Sequence, residues 1–258
     1  RNSMRKVSIV TAYHNRKPQF LRTIKSIEQS ENAHNVELII VDDCSREEHD
    51  LADLQTTIPF QLIKLRKEQK WYTNPCIPFN IGFKKATGDV IIIQNPECYH
   101  VGDVISDVIV NINDEDYLSY GCYALNEGRT HMLQKIRYNN YLEQIKKFYS
   151  ELPQRGFSGL GENGWYNHSE FRPVGYHFCA AITRKNLEEL GGFDERYAKG
   201  VSYDDDELLV RIKRKKIKIK IKNDPFVFHQ YHFEEGSAYI HDLVEKNKEL
   251  FNNKTLHE

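Results

Sequence analysis

Glu37-Leu-Ile-Ile-Val-Asp-Asp-Cys-Ser45 is the stretch on which the fold turns. An apolar run of strand length, Glu37–Val41, ends abruptly in two carboxylates, Asp42 and Asp43. Strands covered on both faces read this way, and they belong to parallel sheets flanked by helices. Upstream, Val7–Thr11 is a second buried strand. Pro18–Gln29 is a helix with Leu21, Ile24 and Ile27 on one face and Pro18 suited to its first turn. Downstream, Ser45 with Glu48 reads as a capping box opening a helix toward Leu54. Phe60–Leu65 is a third strand, Phe79–Ala86 a helix and Val90–Ile93 a fourth strand. Strands alternating with helices define β-α-β units, whose ligands lie beyond the carboxyl ends of the strands. That rule singles out Thr11–His14, Asp42–Ser45 and Gln94–His100, all polar and all following strands.

The chain has 258 residues, 40% of them apolar, enough for one sizeable core rather than a string of small modules. With 36 basic and 37 acidic residues the net charge is −1, which predicts no global attraction to nucleic acid or anionic membrane. No apolar run approaches the roughly 18 residues of a membrane span, and Arg1-Asn2-Ser3-Met4 carries no signal-like segment. Five cysteines without a CxxC argue against a disulfide framework or zinc knuckle. The expectation is a cytoplasmic protein, in which the sequons Asn167-His-Ser169 and Asn253-Lys-Thr255 carry no meaning.

The second half is less regular. Tyr138–Leu152 reads as a helix, and 153–176, with five glycines, as a long loop suited to a lid. His177–Thr183 is a strand, Lys185–Leu190 a helix stopped by Gly191-Gly192, and Asp204–Lys213 another helix. Lys216–Lys222 alternates Lys with Ile, a strand with one wet face. Phe226–Phe228 is a further apolar strand, and a C-terminal helix runs from about Ala238 to Phe251.

Four clusters carry chemistry. Asp42-Asp43 can accept from a base or ribose at the sheet mouth, or simply favour a following helix N-terminus. Asn95-Pro96-Glu97 delivers an amide and a carboxylate to a strand end, oxygen ligands that suit Mg²⁺ or Mn²⁺, or else forms a turn. Asp204-Asp205-Asp206-Glu207 opens a helix; its acids repel unless a dipole, metal or substrate offsets them, and one carboxylate there can serve as general base. The run is too tight for a glycosidase pair, which sits about 5–9.5 Å apart on separate elements. His229-Gln-Tyr-His232 ends the Phe226–Phe228 strand and offers imidazoles that suit Mn²⁺. Gly159-Leu-Gly161-Glu-Asn-Gly164 matches GxGxxG, but it follows no strand and opens no helix, which excludes a dinucleotide fingerprint. The basic run Arg211–Lys222 is a half-buried strand without base-stacking aromatics, not a nucleic-acid patch.

Val7-Ser-Ile-Val-Thr-Ala-Tyr-His-Asn15, Ile39–Ser45, Phe79-Asn-Ile-Gly-Phe-Lys-Lys-Ala-Thr-Gly88, Gly191-Gly-Phe-Asp-Glu-Arg-Tyr197 and Tyr203-Asp-Asp-Asp-Glu-Leu-Leu-Val-Arg211 together resemble family 2 glycosyltransferases, over roughly residues 5–232. The resemblance implies an α/β fold of GT-A type filling 1–258 as one domain. Its parts are a Rossmann-like nucleotide-sugar half with a mostly parallel sheet (about 5–100), an acceptor-side half with mixed strands (about 101–232) and a C-terminal helix (233–258). It implies nucleotide binding by Thr11, Ala12, Tyr13, Asp42, Asp43 and Asn80, with Asp43 accepting from uracil N3–H. It implies Asp205 as catalytic base and Asp204 as an acceptor contact, to which Trp165 and His168 of the loop add. Asn95-Pro96-Glu97 stands where the family has D-x-D, so Glu97 with His229, and then Asn95 and His232, are the implied ligands of Mn²⁺ or Mg²⁺. The implied activity is inverting transfer of a hexose or N-acetylhexosamine from a UDP-sugar to a hydroxyl of a glycan, a lipid-linked sugar or a protein. Two other readings compete. A nucleotidyltransferase would want a Gly-rich loop after the first strand, where Thr11-Ala-Tyr-His-Asn-Arg16 has none. A catalytically inactive sugar- or partner-binding module draws its support from Asn95.

Overall fold

The structure, a computed structural model, describes residues 5–233 and 237–257. The first half runs β1 (Val7–Tyr13), α1 (Lys17–Glu28), β2 (Val36–Asp43), β3 (Phe60–Leu65), α2 (Cys76–Lys85) and β4 (Val90–Gln94). The expected strands and the helices on α1 and α2 are all present. Every residue of β2 and β4 is buried, as an apolar run without alternation requires. Glu37, at the amino end of β2, is held by the Ser8 and Thr87 hydroxyls (2.7 and 2.8 Å) and the Thr87 amide. Gly82 lets α2 lie directly on the sheet, since a Cβ there would stand 2.5 Å from Val10 Cγ1. The helix expected from Ser45 toward Leu54 is absent; a single 3₁₀ turn, Glu47–His49, takes its place. Ser45 is drawn elsewhere: its amide donates to Asp42 Oδ1 (3.0 Å) and its hydroxyl accepts from the Asn15 amide (3.0 Å).

The second half continues β5 (Cys98–Val101), α3 (Val104–Asn111), β6 (Asp116–Ala124), α4 (Glu127–Leu133), α5 (Tyr141–Ser150), β7 (Gly164–Asn167), β8 (Cys179–Thr183), α6 (Arg184–Leu190), α7 (Asp204–Arg214), β9 (Lys218–His229) and α8 (Ser237–His257). Residues 234–236 and 258 of the expected C-terminal helix lie outside the described residues. The two expected strands 216–222 and 226–228 are one strand, β9, whose pairing with β6 shifts register between Tyr120 and Gly121. The expected loop 153–176 is largely clasped. β7 pairs with β6, Trp165 is buried, and fully buried Asn167 donates to Ser119 Oγ and the Tyr120 carbonyl (both 2.9 Å) while accepting from the Gly175 amide (2.9 Å).

The nine strands among the described residues form one mixed sheet in the order β3-β2-β1-β4-β8-β6-β9-β5, with β7 on β6. β1 to β4 are parallel, β8 runs antiparallel to β4 and β6, β9 is parallel to β6, and β5 runs antiparallel to β9. The carboxyl ends of β1, β2, β4, β6 and β9 therefore share one edge with the amino ends of β5 and β8. Apolar clusters fill both faces: Phe20, Ile24, Val104 and Val108 pack on one, Phe79, Leu187, Leu208 and Ile212 on the other.

Candidate active site

The strand directions bring three of the chemical clusters to that shared edge, and the Tyr176–Asp206 hydrogen bond (2.8 Å) ties the acidic helix to the segment before β8. Asp43 ends β2, Glu97 immediately precedes β5, residues 176–178 immediately precede β8, and His229 ends β9. Gln94 pairs with Cys179 and Cys98 with His229, so the β4–β5 turn lies between the other two. The Asn95 amide donates to the Phe178 carbonyl (3.1 Å), fixing the turn to the head of β8.

Glu97, His229 and His232 converge, with one ligand atom from each within 4.8 Å of the others. His229 Nε2 lies 3.1 Å and His232 Nε2 3.7 Å from Glu97 Oε1. Burial opposes ionisation of Glu97, yet the His229 hydrogen bond and the two imidazole charges hold its pKa down at about 2. Burial lowers His232 to about 4, keeping a neutral ring, and its Nδ1 is buried without a partner. Gln230, fully buried between the histidines, donates from its amide and from Nε2 to the Glu97 carbonyl (3.2 and 3.1 Å). Its Oε1 accepts from Arg22 Nε (2.6 Å), which ties the end of β9 to α1. A carboxylate with two imidazoles in reach offers one oxygen and two nitrogen donors, a set that fits a first-row divalent cation such as Mn²⁺ better than Mg²⁺. Asn95 is half-buried two residues before Glu97. His100, by contrast, is buried on Gln94 Oε1 (2.7 Å) and belongs to the core.

At the β1–β2 mouth, Asp42 is engaged by the Ser45 amide, and Asp43 accepts from the Tyr72 hydroxyl (2.7 Å) and Lys70 Nζ (3.3 Å). Each Asp43 oxygen keeps a lone pair for a further donor. Thr11 Oγ1 is buried without a partner, a polar group awaiting a hydrogen bond at the expected donor site. Ala12 is half-buried beside it. Tyr13 is a different matter: its ring is fully buried on Phe20 (5.4 Å) and its hydroxyl donates to the His49 carbonyl (2.6 Å), so only its backbone faces a ligand.

α7 presents the acidic run. Ser202 and Tyr203 both adopt left-handed φ (64° and 66°), an uncommon backbone that starts the helix sharply and aims its first turn. Buried Asn247 of α8 holds this turn by donating to the Tyr197 and Ser202 carbonyls (3.1 and 2.9 Å). Asp204 is buried and accepts from Asn74 Nδ2 (3.1 Å). Glu207 is neutralised by Arg211 (2.6 and 2.8 Å), whose other donors hold the Leu190 and Gly192 carbonyls. Asp206 accepts from the Tyr176 hydroxyl (2.8 Å). Asp205 accepts from the Asp206 amide (2.9 Å); burial and the neighbouring Asp204 and Asp206 charges push its pKa well above the usual carboxylate range. A carboxylate with raised proton affinity is what a general base requires.

Three expected site residues are placed elsewhere. Asn80 braces α2 against the Gly192-Phe193 turn, donating to and accepting from the Phe193 backbone (2.9 Å each), so its amide is not turned to donor phosphates. Trp165 is 1% exposed, with Nε1 on Gln154 Oε1 (3.1 Å), and cannot stack on an acceptor. His168 is buried; its Nδ1 accepts from the Glu170 and Phe171 amides (3.0 and 3.3 Å), making it a staple of its own loop. Sequence reasoning missed Lys70, Tyr72 and Asn74, one short segment that reaches both Asp43 and Asp204. It also missed Gln230. No periodicity marks such residues, because they act through single hydrogen bonds.

This sheet, with a nucleotide-type mouth at β1–β2, an acidic helix start and a carboxylate–imidazole cluster on one edge, is the GT-A fold of glycosyltransferases. The sequence matches Glycosyl transferase family 2 over residues 8–191, and the chain belongs to that family. Over 126 residues it is 26% identical to the dolichol-phosphate mannosyltransferase of Pyrococcus furiosus, a match spanning 48% of this chain and 35% of that relative's length. S. aureus TarS 1-349 in complex with UDP-GlcNAc aligns with a TM-score of 0.67 at 14% identity, over 98% of this chain and 67% of that one. The mannosyltransferase PcManGT from Pyrobaculum calidifontis, in complex with GDP-Man and Mn²⁺, aligns at 0.57 and 14% identity, over 91% and 59%. These structural likenesses establish the fold. Among the described residues no helix is long and apolar enough to cross a membrane.

Proposed function

We propose that the protein transfers a hexose or N-acetylhexosamine from a UDP-sugar to a hydroxyl of a glycan, lipid-linked sugar or protein, with inversion at the anomeric carbon. The observation that carries this reading is the convergence of Glu97, His229 and His232 at the sheet edge where β2 ends in Asp43 and Tyr176 meets Asp206 of the acidic helix. Asp43 and Thr11 receive the base, Asp43 accepting from uracil N3–H. Glu97, His229 and His232 would hold Mn²⁺, with Asn95 beside them. Bound there, the ion supplies Lewis-acid neutralisation of the charge on the departing diphosphate. Asp205 takes the proton of the acceptor hydroxyl as that oxygen attacks the face of the anomeric carbon opposite the diphosphate. Asp204, fixed by Asn74, orients the acceptor. The backbone of 11–13, rather than the Tyr13 side chain, lines the base pocket.

A GDP-sugar is a second reading, favoured by the PcManGT likeness, since a carboxylate also accepts from guanine N1–H. Thermal unfolding with UDP or GDP, each with Mn²⁺, Mg²⁺ or EDTA, separates them. A ligand that binds only the native state adds about 2.7 kcal/mol of stability at a hundredfold excess over Kd. We expect a shift with UDP that requires Mn²⁺. A shift indifferent to EDTA would remove the cation from the reaction, and no shift with either nucleotide would overturn the donor-site reading.

A further inference from the structure

The C-terminal helix lies against the turn that launches the acidic helix, and the reaction as described leaves it unused. Leu243, Asn247 and Phe251 of α8, spaced four apart, fall on one face of the helix and meet that turn in succession. The Leu243 carbonyl accepts from the Val201 amide (3.1 Å), and Asn247 Nδ2 donates to the Tyr197 and Ser202 carbonyls (3.1 and 2.9 Å). The Phe251 ring tilts against Tyr203 (5.5 Å, 38°). Gly200 is the slot that admits Asn247, since a Cβ there would stand 2.1 Å from Asn247 Oδ1. The same turn is also held by 73–74: the Thr73 and Asn74 amides donate to the Ala198 carbonyl (2.9 and 3.0 Å), and the Thr73 hydroxyl to the Gly200 carbonyl (3.3 Å). The stretch matched to the family, 8–191, ends before both the turn and α8.

We propose that α8 is a working part of the transfer site, with Asn247 a positioning residue for Asp205 that acts through the Ser202–Tyr203 turn. The proposal rests on the reading of Asp205 as general base. Ser202 and Tyr203 hold left-handed φ (64° and 66°), a backbone that residues with side chains keep only where surrounding contacts over-determine it. Asp205 is the second residue of the helix that follows, so these two residues set the direction in which its carboxylate is presented. An amide side chain is what the position requires. Its two N–H bonds serve two carbonyls five residues apart, which neither a carboxylate nor a hydrocarbon of the same shape can do. Without that amide both carbonyls lose a donor, and the turn is free to return to right-handed or extended backbone. Asp205 then moves off the line to the acceptor oxygen, and a misplacement of about 1 Å costs on the order of 10²-fold in rate.

Two substitutions reach this contact from its two partners. Asn247→Leu removes the donors from α8, and Gly200→Ala, at a φ outside the left-handed region, pushes the amide out of its slot. Release of UDP from UDP-GlcNAc and of GDP from GDP-mannose, with Mn²⁺ and a mixture of methyl glycosides as acceptors, reads the rate. For the donor that is cleaved, we expect kcat to fall about 10–100-fold in both variants, with the donor KM within about twofold of wild type. The calorimetric Kd of the bare nucleotide should stay unchanged, which also reports that the variants are folded. In an Asp205→Asn background, adding Asn247→Leu should lower the remaining rate no further, because a residue that acts through the base then has nothing left to position. Unchanged kcat in Asn247→Leu overturns the positioning role while Asp205 keeps its own. A further loss on top of Asp205→Asn, or a loss expressed in KM, also overturns it, since Asn247 would then support another group. Loss of nucleotide binding in both variants would make α8 a general support of the fold and overturn it too. Near-full turnover of Asp205→Asn removes the base reading, and a wild type that cleaves neither donor removes the transfer reading; the positioning role falls with either.

Discussion

Glu97 and Asp205 sit on the same sheet edge, both largely withdrawn from water, and their surroundings drive them apart. Glu97 faces two imidazoles and is held ionised far below the usual carboxylate range. Asp205 faces two carboxylates and is pushed above it. Burial raises both and is the largest influence on Asp205, which the like charges reinforce; at Glu97 the imidazoles reverse it. In the proposed reaction this is a division of labour, Glu97 keeping its charge for a cation and Asp205 accepting a proton.

The comparison breaks first at Asp205. Asp205→Asn cannot accept a proton, so we expect transfer to fall by about 10²–10⁴-fold, with nucleotide binding retained in calorimetry. The variant should also be more stable at neutral pH. Asp205 has a raised folded-state pKa, so its charge penalises the fold increasingly as pH rises from the ordinary value of 3.8 through the folded pKa. Removing it should raise Tm near pH 8 and leave Tm unchanged well below pH 3.8. Near-full turnover, or a lower Tm at pH 8, would refute the assignment.

At the other carboxylate the expected losses are in cation affinity. His229→Ala removes a ligand atom and should abolish Mn²⁺-dependent binding of the nucleotide. Gln230→Leu leaves all three ligand side chains but releases the Glu97 carbonyl, and outer-shell losses typically weaken a cation by about 10–100-fold. Free Mn²⁺ followed by electron paramagnetic resonance distinguishes the two. Equal affinity in Gln230→Leu and wild type would show that the Glu97 turn holds itself.

How much of this edge was legible in advance depended on the kind of interaction. β2 and β4 announce themselves because an unbroken apolar run has one reading, and Glu97 and His229 follow from their position after strands, whereas Asp205 is singled out from its acidic run only by the family resemblance. β6, Asp-Tyr-Leu-Ser-Tyr-Gly-Cys-Tyr-Ala124, gives no such signal: it is buried on both faces, yet its tyrosines and small residues suggest neither alternation nor a continuous run. It shares one side between β8 and β7 and gives the other to β9, pairings that only distant sequence supplies. Trp165 turns into the core by the parity of β7, which is invisible until that strand has a partner. Asn80 and Ser45 fail because a short polar side chain bonds whichever backbone group the tertiary fold brings near.

Asn74 tests whether the acidic helix needs its neutral support. It is 1% exposed, gives Nδ2 to Asp204 and takes the Cys76 amide on Oδ1 (2.8 Å). Asn74→Ala strands a buried carboxylate oxygen and an amide, a loss of about 1–3 kcal/mol. For a chain of this size each kcal/mol lowers Tm by about 2–4 °C. A scan at pH 7 showing no decrease would mean that Asp204 is held by the helix start alone.

The smallest expected effect is also the most specific. Asp206→Asn keeps an oxygen for the Tyr176 hydroxyl but removes one of the two charges that raise Asp205. With a like charge gone, the Asp205 carboxylate is easier to form and its pKa falls. The acidic limb of the pH–rate profile, where transfer is lost as the base becomes protonated, should then move to lower pH while the plateau rate stays close to wild type. A limb that stays in place would mean that burial alone sets Asp205. A limb that moves up would mean that another group is the base. Either result would dissolve the contrast with Glu97, because the acidic run would then be a structural cap whose charges leave the proton transfer untouched.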